Sequence, residues 1–164
     1  MGAPVIDYKT PSQYVFNNKG YWIAGDVTTD SQMSALAAAN TTGTYSGSAR
    51  GTYYGVSGGT DMSGTFGCSV NFAAGSNQIT NFNMNVSGSG KSASITNGTG
   101  SFNPASGYKS NFSLSSGTVS ITGSAGATQK TSGAMYGSSA QAVGGVWAID
   151  GGAAKAVGMF QGTR

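Results

Sequence analysis

The segment Phe66-Gly67-Cys68-Ser69-Val70-Asn71-Phe72 decides the fold. Its apolar side chains occupy every second position, with glycine, serine and asparagine between them. Alternate side chains of an extended chain point to opposite faces, so the pattern predicts a strand with one buried face and one polar face. The same period recurs in Phe82-Asn83-Met84-Asn85-Val86 and at Tyr45, Ala49 and Tyr53. We therefore expect a chain built largely of half-buried strands.

Further strand candidates follow at short intervals, separated by residues that favour turns. The candidate strands cover residues 92–102, 108–114, 118–122, 133–137, 146–149 and 156–161, and turn signals lie at 58–59, 74–77, 87–90, 103–107, 123–126 and 150–152. Hairpin-linked strands without crossover helices predict an antiparallel meander, and closure into a barrel removes its edges. The predicted fold class is all-β: a single antiparallel up-and-down β-barrel of about eight strands over residues 41–164. Because the inward set mixes glycine and alanine with large apolar residues, we expect a packed interior.

Residues 1–40 form a lead-in to the barrel. An aromatic stretch at 20–25 predicts a short strand. The stretch 30–39 is the one convincing helix of the chain, and Thr29 or Asp30 is its expected N-cap. The domain organisation is thus a lead-in with a short strand and a short N-terminal helix, followed by the barrel.

Charge is sparse in this chain of 164 residues. Eight basic residues and five aspartates, without glutamate, give a formal net charge of +3. The basic residues are spread along the chain, which disfavours nucleic-acid binding. No run of about 18 apolar residues is present, so no transmembrane segment is predicted. The start of the chain has neither a basic nor an apolar leader, so we expect any export signal to lie outside it.

The sequence contains few of the residue types that enzymes commonly use for catalysis. Histidine is absent, which removes the commonest general base and metal ligand. The single cysteine, Cys68, is in phase with the core and is expected to be buried. Ser57 in a Gly-x-Ser-x-Gly pattern, Lys91 in Gly-Ser-Gly-Lys-Ser and Lys109 in Ser-x-x-Lys are all expected in turns or loops rather than in active sites. We predict no enzyme, no cofactor and no metal site, with no catalytic residues.

The C-terminal part of the chain carries a family resemblance. The stretch at 133–147, Gly-Ala-Met-Tyr-Gly-Ser-Ser-Ala-Gln-Ala-Val-Gly-Gly-Val-Trp, and the ending at 156–164 resemble the close of the transferrin-binding-protein-like β-barrel family of bacterial surface lipoproteins and secreted proteins. Residues 43–47, Gly-Thr-Tyr-Ser-Gly, are similar to its first barrel strand. Ser138 stands where that family usually has proline, and Ala142 where an acidic residue is common.

The resemblance implies an eight-stranded barrel that is extracellular or tethered to an outer membrane. Relatives in that family bind host iron-carrier or complement-regulatory proteins, so a host or cell-envelope protein is the expected partner here. We expect the domain to be a monomeric, non-enzymatic binding module. Two alternatives stay open at this point: a structural or display barrel within a larger secreted protein, and a carrier with a small-molecule cavity.

Three residues are candidates for contact with a partner. In the adjacent pair Tyr53-Tyr54 one side chain must point outward, because neighbouring side chains of a strand alternate. Tyr54 is the outward member if Tyr53 belongs to the core. Tyr108 lies beside a turn next to Lys109, and exposed tyrosine beside lysine is a plausible protein-binding anchor.

Overall fold

The computed structural model describes the backbone of residues 14–16, 21–23, 25–56, 58–103 and 108–164, with side chains from residue 25 onward. Its elements, in chain order, are β1 (Tyr14–Phe16), β2 (Tyr21–Ile23), α1 (Asp30–Ala38), β3 (Thr42–Gly55), β4 (Gly58–Asn71), β5 (Ile79–Gly88), β6 (Lys91–Phe102), β7 (Asn111–Ile121), β8 (Thr128–Tyr136), β9 (Ala142–Asp150) and β10 (Lys155–Thr163).

Strands β3 to β10 form a closed antiparallel barrel in which each strand pairs with its neighbours along the chain and β10 returns to β3. This confirms the all-β, eight-stranded up-and-down barrel with one short helix. The alternation that predicted it is present in the burial: Tyr45, Ala49 and Tyr53 are buried on β3, and Phe66 and Val70 on β4. The strand predicted at 20–25 is β2, and it pairs with β1, a strand in the lead-in that the sequence did not predict.

One strand was divided wrongly by the sequence. Residues 108–114 and 118–122 were predicted as separate strands, whereas β7 runs without a break from Asn111 to Ile121. The intervening Ser-Ser-Gly resembles a turn. It is a bulge, because the β6–β7 register shifts on either side of Ser116 and Gly117 has φ +142°.

The helix lies at the end of the barrel where β7 and β9 begin, and the segment before it is hydrogen-bonded to that end. Thr29 is its N-cap, as expected, and forms a capping box with Gln32. Just before it, the Thr28 backbone N–H donates to the Met135 carbonyl at 2.9 Å, and the Thr28 hydroxyl donates to the Gly137 carbonyl at 2.8 Å. Thr28 is fully buried. The segment before α1 therefore continues the sheet beside β8 and fixes where the helix starts.

Trp147 shows how tightly the wall of the barrel is filled. Its indole lies over the paired glycines Gly51 and Gly158, and a Cβ placed on Gly51 would be 2.4 Å from the indole Cζ2. The indole N–H donates to the Met159 carbonyl at 3.2 Å. Glycine is required at position 51 because the ring occupies the space of a side chain. Trp147 thus packs within the barrel.

Candidate functional site

The interior of the barrel is filled by phenylalanine rings. The ring centroid of Phe66 lies 5.1 Å from that of Phe82 and 4.6 Å from that of Phe160. Phe82 and Phe160 meet edge to face at 5.2 Å, and Phe112 lies 6.3 Å from Phe160. These are the spacings of favourable aromatic pairs in a core. The barrel axis is therefore occupied by side chains, as expected from the mixture of glycine and large apolar residues.

Burial holds Cys68 and Tyr45 of the core in their neutral forms. Cys68 is buried, as expected, and burial raises the pKa of its thiol to about 12. Burial also raises the pKa of the Tyr45 hydroxyl to about 12, although the charge of Arg164 opposes the shift. The Tyr45 hydroxyl donates to the Ala140 carbonyl at 2.6 Å. A protonated, buried thiol is a poor nucleophile, so Cys68 acts as a core residue.

The catalytic look-alikes lie in hairpins where the structure describes them. Gly55 pairs with Gly58, so the Gly-x-Ser-x-Gly pattern spans the β3–β4 turn, although Ser57 itself lies outside the described residues. Gly88 pairs with Lys91, and Ser89 and Gly90 have φ values of +47° and +73°, as in a tight hairpin turn. Of the Ser-x-x-Lys pattern at 106–109, residues 106 and 107 lie outside the described residues.

Metal-binding side chains are not clustered in the part of the chain that the structure describes: no group of three such residues comes together there. Asp150 forms an exposed ion pair with Lys155 at 2.5 Å. The hydrogen bonds that Asp150 accepts from Lys155 and from the Gly152 backbone N–H lower the pKa of the Asp150 carboxyl.

No helix in the described ranges is both long and apolar enough to cross a membrane.

Of the three predicted contact residues, Tyr54 lies apart from the other two. It is half-buried near the end of β3, facing outward between Gly59 and Lys155 on the neighbouring strands. Tyr108 and Lys109 precede β7. Strands β3 and β7 run in the same direction in this meander, so the end of β3 and the start of β7 lie at opposite ends of the barrel. The structure does not bring the three together in one surface.

Lys109 is engaged with the helix. Its backbone N–H donates to the Asp30 carboxylate at 2.8 Å, and its Nζ donates to the Ser34 hydroxyl at 3.1 Å. Tyr108 is half-buried beside it, and its carbonyl accepts from the Asn111 N–H at 3.1 Å. Lys109 therefore connects the segment before β7 to the helix, and the pair has a structural role at this end of the barrel.

The wall of the barrel is incomplete at one place, which we call the β7–β8 seam: residues 114–121 of β7 and 128–131 of β8. These strands share three residue pairs, from Asn111 with Ala134 to Ser113 with Ser132. Every other neighbouring pair of barrel strands shares at least seven. The ladder stops where the bulge before Gly117 begins, so the bulge is the local cause of the opening.

Two polar side chains face the interior at the seam. Thr131 and Gln129 pair with Trp147 and Ile149 on β9, whose side chains are buried, and cross-strand partners share a face. Thr131 is 4% exposed. Its Oγ1 and the Gln129 Oε1 are buried without a hydrogen-bond partner. Such groups are rare in folded proteins because each costs about 1–3 kcal/mol.

Comparison with known proteins adds no assignment: no family model matches the chain, and no curated protein matches it significantly.

The sequence analysis did not predict the β7–β8 seam. Its one visible signal is Gln129-Lys130-Thr131, where two polar side chains occupy inward positions of a strand.

Proposed function

We propose that this domain is a non-enzymatic binding module, secreted or exposed at a bacterial cell surface, that contacts a protein partner through its outer wall. The observation that supports this most is the combination of a filled interior with one incomplete stretch of wall. Phenylalanine rings pack against one another along the barrel axis. At the β7–β8 seam only three residue pairs join the strands, and the Gln129 Oε1 and Thr131 Oγ1 have no hydrogen-bond partner. Contact with a macromolecule is therefore favoured over carriage of a small ligand.

The proposed location follows from the resemblance to transferrin-binding-protein-like barrels and from the surface chemistry. The exposed faces carry mainly serine, threonine and asparagine with few charges, as on β5, where the outward residues include Asn83 and Asn85. A host protein or a component of the producing cell's envelope is the proposed partner.

The test is affinity capture with the purified chain from host serum and from an envelope extract of the producing cell, with mass spectrometry of the retained proteins. A binding module retains one species in a saturable manner, and excess free domain displaces it. A matched column carrying unfolded, alkylated chain controls for adhesion to exposed apolar residues.

A structural or display barrel is the second candidate, and one observation favours it. Among the large hydrophobic residues that the structure describes, only Val56 is strongly exposed. Protein-binding surfaces usually present a larger apolar patch. Retention of nothing from either source, by a chain shown to be folded, favours this second function.

A further inference from the structure

Strands β9 and β10 carry apolar residues on the outer wall of the barrel. Trp147 and Phe160 are buried in the interior, so the residues that alternate with them face outward. Four of these outward residues are apolar and half-buried, and we call them the apolar stripe: Val146, Ala148, Val157 and Met159. The β9–β10 register pairs the first with the last and the middle two with each other, so the stripe is one continuous patch. The exposed residues of β5, by contrast, are asparagine and serine.

Two outward residues beside the stripe are buried. Thr52 on β3 pairs with Val157, so it also faces outward, yet it is 0% exposed. Ala134 on β8 lies on the same face as Lys130 and is 2% exposed. Ser48 and Lys130, which face outward farther along the same two strands, are exposed. The burial is therefore local, and it indicates that part of the chain lies over the wall beside the stripe.

The segment before the helix leads to this wall. Tyr136 ends β8 on the same outward face as Ala134, and a Cβ placed on Gly25 would lie 3.0 Å from the Tyr136 ring. Strand β2 ends two residues before Gly25, and its Cα atoms approach those of β10 within 8 Å. In the barrel, β9 separates β8 from β10. The chain therefore runs from the outer face of β8 to β10, the strand that carries Val157 and Met159.

The β1–β2 hairpin has a composition that suits an apolar surface. Val15 pairs with Trp22, and Tyr14 pairs with Ile23. Cross-strand partners share a face, so the sequence gives both faces of the hairpin apolar residues. A two-stranded hairpin is at most marginally stable in water unless it packs against another element. The hairpin and the apolar stripe therefore each supply the surface that the other needs.

The pairing of the strands separates the hairpin from the barrel. Strands β1 and β2 form a sheet of their own, and among the described residues no ladder joins either of them to the barrel. Strand β10 has both of its edges paired already, with β3 and β9. Departure of the hairpin would therefore break no strand pair of the barrel.

From these relationships we propose that the apolar stripe is a docking surface for the β1–β2 hairpin, which lies on it as a strap. Release of the strap exposes the stripe to water while the barrel stays closed. Elements with few buried apolar contacts open first in folded proteins, and a short hairpin outside the barrel ladder is such an element. The inference goes beyond the proposed binding function and does not depend on it, because both of its tests are made without a partner.

Amide hydrogen exchange of the full chain is the first test. The double variant Val157→Thr, Met159→Thr makes the stripe polar with residues that are compatible with a strand. It should speed exchange of the β1 and β2 amides about tenfold, because opening of the hairpin then exposes less apolar surface. Val56→Thr is the matched control, since Val56 is fully exposed in a turn, and it should leave these amides unchanged. Unchanged exchange of β1 and β2 in the stripe variant overturns the proposal, provided that the amides of β5 remain protected.

Variants of the hairpin provide the second test. The pairs Val15→Ser with Trp22→Ser and Tyr14→Ser with Ile23→Ser each make one face of the hairpin polar. One of the two should release the strap and increase the fluorescence of anilinonaphthalene sulfonate, a dye that binds exposed apolar surface. Making the stripe polar in the same chain should cancel the increase, whereas Val56→Thr should not. No increase from either pair, or an increase that persists with a polar stripe, overturns the proposal.

Discussion

The backbone N–H of Lys109 donates to the carboxylate of Asp30 at 2.8 Å, which ties the start of β7 to the first turn of the helix. A carboxylate at this position also stabilises the positive end of the helix dipole. Asp30→Ala is expected to lower the free energy of unfolding by about 1 kcal/mol. Asp30→Asn, which keeps an acceptor, should lose less in chemical denaturation. Equal losses in the two variants would contradict the role given to this bond.

Gly51 is expected to tolerate no side chain. A Cβ there would be 2.4 Å from the Trp147 indole and 2.6 Å from the Val157 carbonyl oxygen. Gly51→Ala should cost about 2 kcal/mol or more, since overpacking displaces a rigid ring and backbone. Gly126→Ala is the control, because nothing lies within 4 Å of its Cβ position. Thermal denaturation of both variants checks the prediction, and similar melting temperatures would contradict it.

Thr131→Val is expected to maintain or raise stability. The change replaces a buried hydroxyl that has no partner with a methyl group, which removes a desolvation cost of about 1 kcal/mol. Thr52→Val is the matched control, since the buried Thr52 hydroxyl donates to the Asp61 carboxylate at 3.2 Å. That variant should be destabilised. If Thr131→Val unfolds as readily as Thr52→Val, the Thr131 hydroxyl has a partner in solution.

Stability should fall at high pH because of Cys68. The folded state holds the thiol proton until a pKa of about 12, whereas the ordinary value is 9.0. The contribution is therefore complete below pH 9 and is lost as pH rises towards 12. Tyr45, with the same direction of shift, adds to the loss above its ordinary pKa of 10.0. Cys68→Ala should give a shallower decline of unfolding free energy over this range. An identical slope would show that the native thiol ionises freely.

Much of the fold was predictable because burial imposes a simple period on a strand. Phe82, Met84 and Val86 alternate with asparagine and are buried as the alternation required. The start of the helix was predictable because threonine is a common N-cap: the Thr29 hydroxyl accepts a hydrogen bond from the Gln32 backbone N–H in the first turn.

Strand pairing around a bulge was not predictable. Ser115, Ser116 and Gly117 have the composition of a turn, and only the ladder to β6 shows that the strand continues through them. The seam follows from that bulge, so Thr131 and Gln129 could not be recognised as partnerless. The sequence could have predicted that Tyr54 and Tyr108 lie far apart. In a meander alternate strands run in the same direction, so the end of β3 and the start of β7 lie at opposite ends of the barrel.

The measurement that tests the central claim most directly is saturation binding of the labelled, folded chain to the partner retained in affinity capture, with unlabelled chain as competitor. The account predicts a saturable isotherm that free domain displaces completely. Non-saturable or non-displaceable binding from both serum and envelope sources would contradict the claim that this barrel is a binding module.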